Sequence, residues 1–145
     1  MQLKCGNMWT DSTADFKLFT ANATVRKDGA LVMGRGCALE AQQLFPGCNK
    51  VFGGIIKEYD GNIYGVILHP ELPLGAFQVK WHFKDYAQLE LIEYSVKMLS
   101  SMALAQPDKT FAVNFPGIGY GRLDRSVVLK VIEGLPENVE VWEKP

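Results

Sequence analysis

The sequence predicts an α/β protein, a three-layer α/β/α sandwich around a mixed sheet. Three observations lead there. Stretches with strand character alternate with amphipathic helical stretches along the chain. Two glycine-rich turns, Met33-Gly34-Arg35-Gly36 and Gly117-Ile118-Gly119-Tyr120-Gly121, each stand between an extended stretch and a helix. Asp60-Gly61, flanked by apolar runs, carries the turn chemistry of a β-hairpin.

Met1–Cys5 is a short candidate first strand, and Asp15–Thr20 alternates apolar and polar residues through Phe16, Leu18 and Phe19, as a strand does. Residues 22–34 read as a loop with a turn at Asp28-Gly29. Gly36–Phe45 reads as a helix, with Ala38, Leu39, Gln42 and Phe45 at helical spacing and Pro46-Gly47 ending it. Gly54–Tyr59 and Ile63–His69 are the two expected arms of the hairpin, followed by a loop over residues 70–75. Asp85–Ala105 carries the clearest helical stripe, through Leu89, Ile92, Val96, Leu99 and Ala103. Thr110–Phe115 reads as a strand leading into the second glycine turn. Asp124 is placed to cap a helix running to Leu135, its inner face made by Val128, Val131, Ile132 and Leu135. Val139–Trp142 is the last strand.

A chain of 145 residues, 48% hydrophobic and 21% charged, is expected to fold as one domain over 1–145 with a sizeable core. Its 15 Lys and Arg against 16 Asp and Glu leave a net charge of −1, which disfavours extended contact with a phosphate backbone. No apolar stretch approaches the ~20 residues of a membrane helix, and Met1-Gln2-Leu3-Lys4-Cys5-Gly6 lacks the apolar core of a signal peptide. Three cysteines without a C-x-x-C spacing indicate neither a disulfide framework nor a zinc site, and a reducing cytoplasm is the expected compartment. The two histidines, His69 and His82, lie far apart in sequence, so a metal site is not expected. There is no G-x-x-x-x-G-K-[ST] and no G-x-S-x-G, which removes P-loop phosphoryl transfer and the α/β-hydrolase elbow.

Glycine lets the backbone approach a ligand closely and turn its N–H groups inward, and a helix start adds positive partial charge at the same point. Two such turns in one small domain suggest a clamp for a ligand with two phosphates. The second resembles half a dinucleotide fingerprint, and Glu143 lies near the spacing of a ribose-binding acid. A Rossmann domain, however, carries that motif in its first βα unit, with several units after it. A nicotinamide-dependent oxidoreductase is therefore disfavoured. Asn22, at the end of a strand, either hydrogen-bonds a ribose hydroxyl or satisfies nearby backbone in a turn. Lys80, in Lys80-Trp81-His82-Phe83-Lys84, is either a partly desolvated amine with a lowered pKa or a side chain lying over apolar surface.

Taken together, these residues resemble the macrodomain family, ADP-ribose-binding α/β/α modules. The likeness is to the branch that holds DarG-type DNA ADP-ribosyl glycohydrolases and terminal ADP-ribose protein glycohydrolases. The family's Asn loop and V-M-G-[KA]-G-[IL]-A-[LV] turn correspond to Thr20-Ala21-Asn22 and Val32-Met33-Gly34-Arg35-Gly36-Cys37-Ala38-Leu39. Its T-K-x-H-W segment corresponds to Val79-Lys80-Trp81-His82-Phe83, and its P-x-[LI]-G-x-G loop to Pro116-Gly117-Ile118-Gly119-Tyr120-Gly121.

The resemblance implies an adenine-recognising turn at Gly6-Asn7-Met8. It also implies a diphosphate held between Met33, Gly34, Arg35, Gly36 and Cys37 on one side and Gly117–Gly121 on the other. Asn22 would contact the distal ribose, and Lys80 would attack or position its C1″. The implied activity is hydrolysis of an ADP-ribosyl conjugate (on a DNA base, a protein side chain or a 1″-phosphate) by a monomer without a cofactor. The alternative is a non-catalytic reader of ADP-ribose or a related nucleotide. Nucleic acid enters only as a modified substrate. A single-strand-binding module stacking bases on Trp81, Phe83 and Tyr120 is disfavoured by the acidic balance. The chain departs from the family where protein-directed members carry a catalytic Asp: that position is Arg122, and Asp124 two residues on reads as a helix cap.

Overall fold

In a computed structural model covering residues 1–145, six strands form one sheet in the order β1-β6-β5-β2-β4-β3. The strands are β1 (Gln2–Cys5), β2 (Phe16–Ala21), β3 (Val66–Leu68), β4 (Leu74–Gln78), β5 (Phe111–Asn114) and β6 (Val139–Glu143). All neighbours are parallel except β3, which runs antiparallel to β4 at one edge. The sheet is therefore mixed, as expected. The helices are α1 (Met8–Asp11), α2 (Gly36–Leu44), α3 (Cys48–Ile56), α4 (Leu89–Ala105) and α5 (Arg125–Ile132). None is long and apolar enough to cross a membrane.

A parallel sheet needs cover on both faces, because its crossovers lay helices on each side. One face packs Leu18, Phe77, Phe111 and Val113 against Ile92, Leu99 and Ala103 of α4 and Val128 and Ile132 of α5. The other packs Phe19, Leu74 and Ala76 against Ala38 and Ala41 of α2 and Phe52 and Ile56 of α3. Phe52 meets Phe19 edge-on at 5.4 Å between ring centres, while Phe16 and Phe111 stack at 5.2 Å across β2 and β5.

Three expectations are corrected. Gly54–Tyr59 is not a hairpin arm: through Ile56 it belongs to α3, and Asp60–Asn62 forms a short 3₁₀ turn. The hairpin lies one element later, between β3 and β4, so part of the expected loop at 70–75 is strand. Its turn is organised by His69, whose Nδ1 accepts from the N–H groups of Glu71 and Leu72, both at 3.0 Å. Finally, α4 starts at Leu89 rather than Asp85. The amides of Ala87 and Gln88 are taken by Gly121 O (3.1 Å) and Val79 O (2.8 Å), so the chain turns into the helix only after them. The helices α1 and α3 were not anticipated from the sequence.

Candidate functional site

β2 and β5 are neighbours, but the chain leaves β2 toward β4 and leaves β5 toward β6. Diverging connections open a crevice beyond the carboxyl ends of the two strands. Here the backbone ladder stops at Leu18↔Val113, and a side chain continues it. Asn114 accepts from Thr20 N at 2.9 Å through Oδ1 and donates to Thr20 Oγ1 at 2.9 Å through Nδ2. Above this point a cleft of about 1060 Å³ is lined by the segments that follow all five parallel strands. The residues that the resemblance assigns to the ligand all line it: Asn7, Met8, Asn22, Met33 to Cys37, Lys80 and Gly117 to Gly121; Trp81 and Asp124 do not.

The first glycine turn places Gly34 at φ +62° and Gly36 at φ +65°, with Arg35 extended between them, and α2 begins at once. No side chain caps that helix start, so its first N–H groups remain available at the cleft. In the second turn Gly119 lies at φ +67° with open space around it, so backbone conformation alone requires glycine there. Gly117, at φ +78°, is also crowded: a Cβ would stand 2.7 Å from Ile92 Cδ1 and 2.9 Å from Leu123 Cδ1, so those side-chain ends would have to shift.

The two turns meet across the cleft, where the Arg35 guanidinium lies 4.9 Å from the centre of the Tyr120 ring. A second pair joins the Gly117–Gly121 turn to the Lys80 turn. Arg122 lies 5.0 Å from the Tyr86 ring centre and donates to Tyr86 Oη at 3.2 Å. Both guanidiniums are thus presented at the cleft by aromatic faces.

Lys80 is half-buried, and its ammonium donates to Phe83 O (3.0 Å) and Asp85 O (3.2 Å). Burial holds its pKa below the usual lysine value; Asp85 opposes that shift and Arg35 adds to it. The loop carrying Asn22 is tied to the same turn, with Ala23 N bonded to Trp81 O at 2.9 Å and Phe83 N to Thr24 Oγ1 at 3.0 Å. Asn22 is buried, its Oδ1 accepting from Thr24 N (2.8 Å) and its Nδ2 donating to Val32 O (2.9 Å). It is therefore a loop-bracing residue, with one amide hydrogen and one lone pair left over.

Beneath both loops sits Gln78, fully buried at the end of β4. Its Oε1 accepts from Tyr64 N (2.8 Å) and Gly65 N (3.1 Å), and its Nε2 donates to Asn62 O (2.8 Å) and Lys80 O (3.3 Å). Tyr64 Oη in turn donates to Asn22 O at 2.7 Å, and burial raises its pKa.

At the far end, Asn7 caps α1 through Trp9 N (2.9 Å), and its own N–H donates to Asp11 Oδ2 (2.9 Å). Its Nδ2 is unengaged by the protein. Met8 is buried against Ala112 and Trp142, so its side chain serves packing. Burial, with Glu40 adding to it, pushes the Cys37 thiol up to about 12, which makes it a neutral packing group. The buried Trp9 indole N–H has no hydrogen-bond partner in the protein. Asp124 accepts from Ser126 N at 2.9 Å as the cap of α5. Glu143 is held by Arg125 through two bonds of 2.7 and 2.9 Å.

Sequence reasoning did not single out Gln78, Tyr86, Asn114 or the Arg35–Tyr120 contact. A glutamine inside the apolar run Leu74–Val79 was the one available signal, since a buried amide must find partners.

No protein-family model matches the sequence, and no curated protein matches it. Solved structures do. The macrodomain of Thermus aquaticus DarG superposes with a TM-score of 0.75 at 25% identity, covering 99% of this chain and 97% of that one. The macrodomain of Mycobacterium tuberculosis DarG gives 0.73 at 21% identity, covering 99% and 97%. Thermosipho africanus DarTG in complex with ADP-ribose gives 0.78 at 21% identity, covering 99% of this chain and 42% of that longer one. The six-stranded mixed sheet and its helical layers are those of a macrodomain, and the chain folds as one of the kind found in DarG.

Proposed function

We propose that the cleft binds ADP-ribose and that the chain hydrolyses an ADP-ribosyl conjugate with release of ADP-ribose. The observation that carries this reading is the convergence of two glycine turns and one partly desolvated lysine on a single switch-point crevice. Free N–H groups of the two turns suit the diphosphate, and Asn7 Nδ2 is available to an adenine acceptor. The similarity to a DarTG structure holding ADP-ribose supports the same ligand.

Lys80 is the centre of the proposed chemistry. Cleavage at C1″ builds positive charge on the ribose and negative charge on the leaving group. As an amine, Lys80 Nζ would form a bond to C1″ while the bond to the leaving group breaks. The proton lost from nitrogen passes to the leaving group, and water then releases the sugar. As an ammonium, it would instead neutralise the leaving group while water attacks. Asn22, Tyr64 and Gln78 hold the two segments that set where Nζ points.

The test is release of ADP-ribose from ADP-ribosylated DNA and from ADP-ribosylated protein. Lys80→Ala is expected to lower the rate on the true conjugate by about 10²-fold or more, the scale of a lost nucleophile or acid–base group. Equal rates for variant and wild type would remove the catalytic reading. A binding-only role is favoured by one observation: Nζ already has two carbonyl partners and Asn22 is engaged with backbone. Calorimetry decides between them, since tight ADP-ribose binding without turnover of any conjugate identifies a reader, and absence of binding sinks both.

A further inference from the structure

A second cavity, of about 490 Å³, lies on the other side of the turn that carries Lys80. Its lining is Asp60, Ile63, Trp81, Glu90, Leu91 and Tyr94. Two aromatic rings and two aliphatic side chains make the walls, two carboxylates are the only charged groups, and no cation lines it. Neither Asp60 nor Glu90 takes part in any of the chain's salt bridges or side-chain hydrogen bonds. Ile63 and Tyr94 are among the exposed large apolar side chains, and Trp81 is half-buried.

The cavity is also pre-shaped. The Asp60–Asn62 turn holds Gly61 and Asn62 at φ +68° and +56°, and Asn62 O is fixed by the buried Gln78 Nε2. The same Nε2 holds Lys80 O, and Trp81 O is fixed by Ala23 N. Asp60, Ile63 and Trp81 therefore project from segments anchored to one buried amide. Glu90, Leu91 and Tyr94 project from α4, whose Ser95 donates to Gln78 O at 2.7 Å.

From this geometry we infer that the cavity is a docking site for an arginine side chain of a protein partner. A guanidinium is planar, weakly hydrated and always charged. It stacks on an indole or phenol face and donates in a fork to carboxylate oxygens. The cavity offers those faces and those acceptors, both acceptors free. A polyanionic strand finds no cation there for its phosphates, and the two carboxylates repel it. An ammonium would find the charge and the ring faces, but it has no planar fork to stack and to reach both carboxylates at once. The site is separate from the cleft and shares no lining residue with it.

The experiment uses the whole chain, 15N-labelled, with the indole N–H signal of Trp81 as the reporter. The probe is a blocked Gly-Gly-Arg-Gly-Gly peptide, with the citrulline peptide as its neutral isostere. The arginine peptide is expected to shift the Trp81 signal saturably. The citrulline peptide should bind at least about fivefold more weakly, the scale of a cation–π contact with charge assistance. Asp60→Asn with Glu90→Gln, both exposed positions, should weaken the arginine peptide about tenfold or more while leaving ADP-ribose affinity within about twofold. The inference is overturned by an unmoved Trp81 signal, by equal binding of the two peptides, or by a hexathymidylate that shifts Trp81 at lower concentration than the arginine peptide.

Discussion

Replacing Gln78 with leucine is the sharpest probe of how this fold holds its site. The side chain is fully buried, and the substitution keeps its approximate volume while deleting both polar ends. Two buried amides, Tyr64 N and Gly65 N, lose their only acceptor, Oε1. A buried donor left unpaired costs about 1–3 kcal/mol, so the pair costs about 2–6 kcal/mol. The carbonyls of Asn62 and Lys80 lose a donor as well, but these residues reach solvent and water replaces much of that loss. Against a typical stability of about 5–15 kcal/mol the change is large. Urea unfolding reads it directly as a lower midpoint at unchanged slope. Gln78→Glu sharpens the test. An ionised carboxylate there accepts from the two amides but sets its second oxygen against two carbonyl oxygens, while the protonated acid donates to one of them. Burial and those carbonyls raise its folded pKa above the unfolded value near ~4.3. Its contribution is thus fully present below that value and is lost as pH rises through the folded pKa. The glutamate variant should therefore be nearest wild type in acid. A leucine variant within about 0.5 kcal/mol of wild type would refute the account of Gln78 as the anchor of both loops.

Other substitutions separate the roles of neighbouring groups. If Lys80 acts as an amine, the conjugate-cleaving rate rises with pH and levels off below the usual lysine pKa, because burial depresses it; if it acts as an ammonium, the rate falls over the same range. Lys80→Arg, always charged, keeps activity only in the second case. Gly119→Ala introduces left-handed strain without a clash and should cost about 1–2 kcal/mol by thermal unfolding. Gly117→Ala adds contacts under 3 Å to Ile92 and Leu123 and should be the more damaging of the two in the same assay. Asp124→Ala removes the cap of α5 and should lower the melting temperature while leaving conjugate cleavage unchanged. Because its folded pKa is depressed by the Ser126 bonds, that contribution is present above the ordinary carboxylate pKa and disappears as pH falls through the folded one. A melting curve that keeps the same wild-type-to-variant gap down to pH 2 would contradict this.

The alternation of strands and helices was legible because apolar periodicity reports which faces are covered. The same holds for the glycine turns, whose φ values only glycine meets easily. What misled was glycine in another use. Gly54 reads as the start of a hairpin arm, yet it and Gly53 both lie inside α3. A Cβ on Gly53 would stand 2.1 Å from Gly29 O and 2.8 Å from Leu31 N, so that glycine allows a helix to lie against the backbone of the Asn22 loop. That requirement is made by residues more than twenty positions away and leaves no local trace. The β3–β4 turn escaped notice for a similar reason, since an imidazole nitrogen does the work expected of an Asn-Gly pair. In the site, the glycine turns and Lys80 were found by type and spacing. Gln78 and Asn114 were not, because their importance lies in which distant backbone groups they reach.

The contact between Arg35 and Tyr120 ties the two glycine turns to each other across the cleft. It joins the two lips of the crevice and narrows the opening between the two glycine turns. The stack holds two exposed side chains, and its opening needs rotamer changes rather than movement of the sheet or helices. Exchanging the Tyr120 ring would therefore change the width of that opening while leaving the backbone N–H groups of both turns where they are.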